Sequence, residues 1–169
     1  MKHICGQNSK SVLYNVDKED VQPNACDLKV ARIFKFKESS VFMMAKNSKQ
    51  HHETEELETD ELGFYFLEPG HYEVIMENTI EVGNYEAGWV ITRSTLNRNG
   101  LFLTSGLYDS GFHGNMAACL HVSVGNAYIE KGCRIGQYIS FDAEMLHRYN
   151  GSYGYDSMGI AREEEKKYL

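Results

Sequence analysis

The stretch Leu101–Phe141, "LFLTSGLYDSGFHGNMAACLHVSVGNAYIEKGCRIGQYISF", decides the fold. It holds four apolar runs, "LFLTSG", "MAACLHVSV", "AYIEKG" and "RIGQYISF", each closed by glycine or a polar turn. Runs this short, punctuated this often, read as strands rather than helices. The same pattern continues upstream. "LKVARIFKF" (Leu28–Phe36) alternates apolar and polar residues as a half-buried strand does, and "SVFMMAK" (Ser40–Lys46) is another short apolar run. "FYFLEPGHYEVIMENTIEV" reads as strand, turn at Pro69-Gly70, strand, and "GWVIT" as a further strand. "RSTLNRNG" has room for one or two helical turns, with Asn99-Gly100 as the stop. Many short strands with at most one short helix predict an all-β barrel or jelly roll.

Between the strands lie two polar segments. "NSKQHHETEELETDELG" is acidic and predicts an exposed loop or a short solvated helix. Its His51-His52 pair suggests a metal ligand set, but no further ligand stands at a known metal spacing. "AREEEKKYL" at the carboxyl end reads as a charged tail, mobile in a lone chain and able to order on a partner subunit.

Composition narrows the partners. The chain has 169 residues, which predicts one domain spanning 1–169, with 148–169 as a carboxyl-terminal flap and tail. A formal charge of -7 disfavours a polyanionic partner such as nucleic acid, while one phosphorylated ligand needs only a local basic site. The four cysteines, Cys5, Cys26, Cys119 and Cys133, form no CxxC and read as free thiols in a reducing compartment. No charged-then-apolar leader opens the sequence and no apolar run approaches a membrane span. A cytoplasmic protein with no membrane partner is therefore expected.

The chemistry concentrates between Thr92 and Gly114, in "TRSTLNRNGLFLTSGLYDSGFHG". Arg93, Ser94 and Thr95 would place a cation and two hydroxyls at the free N–H groups of a helical turn, where an anion sits well; a capped turn with surface arginines explains them too. Arg98 lies five residues on and need not share that face. Asp109 stands between glycines, where it either caps a turn or activates water. Phe112 is either plain core or a ring against a sugar or base. "RYNGSYGYDSMG" is glycine-rich and aromatic, suited to a flap whose tyrosines stack on a flat ligand, or to an ordinary loop with packed tyrosines. The zinc-dependent cytidine deaminase signature, the Walker A and dinucleotide fingerprints and the G-x-S-x-G elbow are all absent.

Taken in order, five segments resemble the family that unites dUTP pyrophosphatases and metal-independent dCTP deaminases. "VQPNACDLKV" looks like its deaminase-branch opening, with Asp27 at the shared acid, and "GWVITRSTLNRNGL" like its second motif. "SGLYDSGFHG", with Gly106, is similar to the third, "GCRIGQYISF" to the fourth, and "YNGSYGYDSMG" to the nucleotide flap. The resemblance implies a jelly-roll subunit in a homotrimer with sites between subunits. It also implies a pyrimidine deoxynucleoside triphosphate ligand with magnesium held mainly by the phosphates and no protein metal site.

Carried over by residue, Arg93, Ser94, Thr95 and Gln137 lie at the phosphates. Gly106 belongs to the nucleotide-binding third motif, and Phe112 lies beneath the deoxyribose. Asp109 would activate water, Tyr149 and Tyr153 would close the flap, and Ser94 and Arg98 belong to the deaminase catalytic group.

The chain departs from the deaminase pattern at Cys119, where that branch has its proton-shuttling glutamate, and at Ser152, where its flap has lysine. Phe112 departs from the hydrolase branch, which commonly has tyrosine there. A thiol is a poor proton shuttle for deamination. Hydrolysis of dUTP, or of a related pyrimidine nucleotide, to the monophosphate and pyrophosphate is the expectation. A dCTP deaminase, alone or bifunctional, and a non-catalytic nucleotide-binding or regulatory trimer are the alternatives.

Overall fold

A computed structural model describes the backbone of residues 2–4 and all of residues 9–169. Cys5 lies outside the described residues. Thirteen strands run in chain order: β1 (Lys2–Ile4), β2 (Val12–Tyr14), β3 (Cys26–Phe36), β4 (Met43–Ala45), β5 (Ser48–Gln50), β6 (Thr54–Glu56), β7 (Phe64–Leu67), β8 (Gly70–Glu81), β9 (Glu86–Thr92), β10 (Leu101–Thr104), β11 (His113–Val122), β12 (Ala127–Glu130) and β13 (Arg134–Asp142). One helical turn, α1 (Ser94–Asn97), and two 3-10 turns at Lys18–Asp20 and Glu165–Tyr168 complete the elements.

The principal sheet pairs its strands antiparallel in the order β10-β11-β8-β3-β13-β9. Strands β1, β2 and β6 extend it at the side. Its two ends meet. Tyr108, just past β10, exchanges backbone hydrogen bonds with Gly88 of β9 (2.8 and 3.2 Å), and Thr92 Oγ1 accepts from Leu103 N at 2.6 Å. The sheet is thereby nearly closed into a barrel, which removes most of its free edge. The seam depends on Gly88. A Cβ there would collide with the Ile139 carbonyl and the Tyr138 ring.

The alternation of β11 shows why the sequence folds this way. Met116, Ala118, Leu120 and Val122 point into the barrel and are buried, while Asn115, Ala117, Cys119 and His121 face outward. Leu28, Val30 and Ile33 of β3, Val74 and Ile80 of β8, and Ile135 of β13 fill the same interior. Each such side chain contributes roughly 1.5–3 kcal/mol by leaving water.

Two sequence expectations change, and one holds. "NSKQHHETEELETDELG" is neither a plain loop nor a helix, for it supplies β5 and β6. β6 pairs with β3, and β5 forms an exposed hairpin with β4. Strands β7 and β8 flank Pro69-Gly70 as expected, but β7 pairs with β12 and β8 with β11, β3 and β2. The charged tail is also not loose against its own chain. Glu165 is buried, Tyr168 meets the Phe34 ring edge-on (6.4 Å), and Lys167 pairs with Glu73 at 2.7 Å.

Candidate functional site

Asp27 organises the first constellation. It is fully buried in β3. The β3–β13 register sets Gln137 directly opposite, and Gln137 Nε2 donates to Asp27 Oδ1 at 2.9 Å. Gln22 Nε2 donates to the other oxygen (3.2 Å), and the guanidinium groups of Arg93 and Arg134 lie 3.4 and 3.7 Å away. A buried carboxylate thus fixes two cations and an amide beside a cleft that Arg93, Arg134 and Lys29 line together with Asp17, Glu19, Asp20 and Glu77, and Lys29 is itself paired with Asp17 at 2.7 Å. Arg93 is the N-cap of α1, but its side chain turns toward Asp27 and the Arg134 carbonyl. Ser94, Thr95 and Arg98 are exposed around it.

The second constellation is a pocket of about 370 Å³ between the outer face of the sheet and the carboxyl-terminal segment. Gly106, Tyr108 and Phe112 form its floor, and Tyr149 and Tyr153 of the flap form one wall. Phe112 meets Tyr108 and Tyr149 edge-on, with ring centroids 5.3 and 5.2 Å apart. Tyr149 N donates to the Ser110 carbonyl at 2.8 Å, which ties the flap to the loop bearing Asp109. Gly154 allows the flap to lie flat. It sits at φ +77°, and a Cβ would strike the His113 carbonyl.

A row of side chains crosses the outer face of the sheet here. Thr104 pairs with Cys119, Cys119 with Glu73, and Glu73 with Phe34. Burial pushes the Cys119 thiol up, and the Glu73 carboxylate pushes it further, so it is a poor thiolate. Position 119 therefore lacks a carboxylate, but its cross-strand neighbour Glu73 brings one to the pocket wall. Tyr168 Oη and Lys167 Nζ both donate to Glu73.

A second carboxylate, Glu165, lines the same pocket, accepting from Asn115 Nδ2 (2.8 Å) and Gly154 N (2.9 Å). Lys49 of β5 donates to Ser152 Oγ at 2.9 Å and lies 5.3 Å from the Tyr153 ring centroid. An ammonium thus stands beside the flap position where the resemblance calls for lysine. Glu73, Glu165 and Lys49 were not among the residues the sequence singled out, and no motif carries them.

Asp109 is exposed and opens into a third cleft, lined also by Leu107, Phe141, Glu144 and Tyr149. Most of the sequence-predicted residues fall into three groups on one chain, whereas Ser94, Thr95 and Arg98 join none of them. Arg93 and Gln137 gather at Asp27, Gly106, Phe112, Tyr149 and Tyr153 at the pocket, and Asp109 in its own cleft. Among the described residues no group of three or more His, Cys, Asp or Glu side chains is spaced to hold a metal ion. His51 instead pairs with Glu164 (3.0 Å), and His52 Nδ1 lies 3.0 Å from Ser40 Oγ. Cys119 and Cys133 are free thiols. Among the described residues no helix is long and apolar enough to cross a membrane.

The sequence model of the dCTP deaminase-like family matches residues 3–142. The chain belongs to this family. A probable deoxyuridine 5'-triphosphate nucleotidohydrolase of Methanopyrus kandleri is 32% identical over 142 residues, covering 83% of this chain and 91% of the relative. One of the same description from Methanothermobacter thermautotrophicus is 30% identical, covering 89% of this chain and 98% of the relative. Among solved structures, the 2'-deoxycytidine 5'-triphosphate deaminase of Agrobacterium tumefaciens superposes with a TM-score of 0.57 at 17% identity, over 78% of this chain and 42% of that one. A Staphylococcus bacteriophage dUTPase with dUpNHpp gives 0.52 at 14% identity, over 84% and 96%. At these identities the structures establish the shared barrel of the dCTP deaminase-like family, and the two archaeal relatives carry the likeness at sequence level.

Proposed function

We propose that the chain hydrolyses dUTP to dUMP and pyrophosphate in nucleotide metabolism. The pocket under the flap carries this reading. Phe112 and Gly106 form a floor for a sugar and a flat base, and position 119 holds an uncharged thiol of poor proton-transfer power. The named activity of the two archaeal relatives points the same way.

In the proposed reaction Asp109 takes a proton from water as its oxygen attacks the α-phosphorus. The bond from that phosphorus to the bridging oxygen breaks, and pyrophosphate leaves with the electron pair. Arg93 and Gln137, held by Asp27, meet the charge that develops on the phosphates. The cleft of Arg93 and Arg134 shares no lining residue with the pocket or the Asp109 cleft, which adjoin through Leu107 and Tyr149, and this separation supports a site assembled between copies in a homotrimer. Magnesium enters this reading as an ion carried mainly on the triphosphate.

The test is a product analysis with dUTP and dCTP in separate reactions. Asp109→Asn should lower dUMP formation by roughly 10²-fold or more, as expected for loss of a general base. Unchanged turnover would remove Asp109 from the chemistry. A second reading, deamination of dCTP, is favoured by Glu73 beside Cys119. Ammonia from dCTP that disappears in Glu73→Gln would support it, and no ammonia from the parent protein would exclude it. Nucleotide binding without product from either substrate would favour a non-catalytic binding role.

A further inference from the structure

The outer face of the sheet carries one more group beside the pocket. His71 in β8 and His121 in β11 stand directly opposite in the antiparallel register. Their Nδ1 atoms are 2.8 Å apart, and the rings cross at 73°. The His121 ring lies flat on Phe102, 4.5 Å away and inclined by 13°. Its Nε2 lies 2.9 Å from Thr104 Oγ1. His71 is exposed and borders a cleft with Glu68 and His52.

We propose that His71 and His121 form a bidentate clamp for a divalent transition-metal ion with tetragonal nitrogen ligation, Cu²⁺ foremost. Two cis ligands at metal–nitrogen distances of about 2.0 Å stand about 2.8 Å apart, whereas a tetrahedral ion such as Zn²⁺ needs about 3.3 Å. At 2.8 Å the pair has the tetragonal spacing, which is also that of the hydrogen bond the two Nδ1 atoms share, so the ion binds by displacing that bond's proton to solvent. Thr104 Oγ1 lies 2.9 Å from His121 Nε2, and in the tautomer whose Nε2–H donates to it the Nδ1 lone pair is left for the ion, as outer partners of metal-bound imidazoles do.

The two strands are hydrogen-bonded on either side of the pair, so little ordering remains to be done on binding. Glu73, two residues along β8, shares the face but is paired with Lys167, and Glu68 borders the adjoining cleft together with Lys35. Water fills the remaining coordination positions. Thr104 also lines the pocket, so the clamp lies one residue row from the nucleotide site but uses none of its residues as ligands.

The test is a Cu²⁺ titration of the full chain in a non-coordinating buffer, followed by visible absorption and electron paramagnetic resonance. All proteins carry His3→Ala, so that a histidine near the amino end does not compete. One equivalent should bind at micromolar or tighter concentration with nitrogen coupling from two imidazoles. His71→Asn and His121→Asn should each weaken it at least tenfold, while His147→Asn should leave it unchanged. Near-ultraviolet circular dichroism establishes that the variants are folded.

Equal Cu²⁺ binding by the parent and both clamp variants, or none by the parent, would overturn the proposal and leave the pair as an imidazole–imidazole hydrogen bond. Zn²⁺ binding as tight as Cu²⁺ would overturn the tetragonal assignment. The outcome does not depend on whether dUTP is the substrate.

Discussion

Asp27 and Glu86 are both buried carboxylates, and they solve the cost of burial differently. Asp27 is held by amides and cations at the proposed phosphate end. Among the described residues no cation pairs with Glu86. It accepts from the backbone N–H groups of Lys10 and Ser11 and from the hydroxyls of Ser9 and Ser11, which staples the segment before β2 to β9. Burial pushes the Glu86 carboxyl up, but these donors outweigh it and hold the group below its ordinary value of 4.5.

A depressed folded value means that the ionised group stabilises the protein above about pH 4.5, and that this stabilisation is lost as pH falls through the folded value. Glu86→Gln should therefore cost about 1–2 kcal/mol at pH 7. Urea midpoints of parent and variant should converge as pH falls below 4.5. A gap that stays constant with pH would show that ionisation of Glu86 is not what stabilises the fold.

At the scale of elements, the flap and tail act as one unit because Glu165 joins them. Its carboxylate reaches Asn115 on β11 and the Gly154 amide in the flap, while Arg162 Nη1 donates to the Gly151 carbonyl. Glu165→Ala should raise amide exchange at Gly154 and Tyr155 roughly tenfold and shift global stability by only about 1 kcal/mol, because the barrel interior is untouched. Exchange that rises equally in β3 and β8 would instead mean that the tail supports the whole barrel.

This unit also marks where sequence reading stops. Phe112, Tyr149 and Asp109 were legible because their motifs are local and glycine-flanked. Glu165 meets Asn115 from 50 residues away, and Lys49 meets Ser152 from 103. Such partners leave no spacing signal. The strands of β11 and β13 were legible from alternation and turns. The partner of β7 was not, since a strand's period fixes its faces and not its neighbour.

Over the whole molecule, β9 closes on β10, and the proposed phosphate-binding Arg93 lines a cleft apart from the adjoining clefts of the flap pocket and Asp109. Sedimentation equilibrium should therefore give about three times the 19.3 kDa chain mass. A mass equal to one chain, with turnover retained, would mean that a single copy assembles the site.

One detail of the barrel wall also makes the protein its own optical probe. The sequence has a single tryptophan, Trp89, which is 40% exposed and meets Phe141 edge-on at 5.3 Å. Phe141 lines the cleft of Asp109. The only indole is thus one ring away from the proposed water-activating acid. Anything that settles in that cleft and displaces solvent from the ring pair will move its emission to shorter wavelength, so occupancy can be followed without a label.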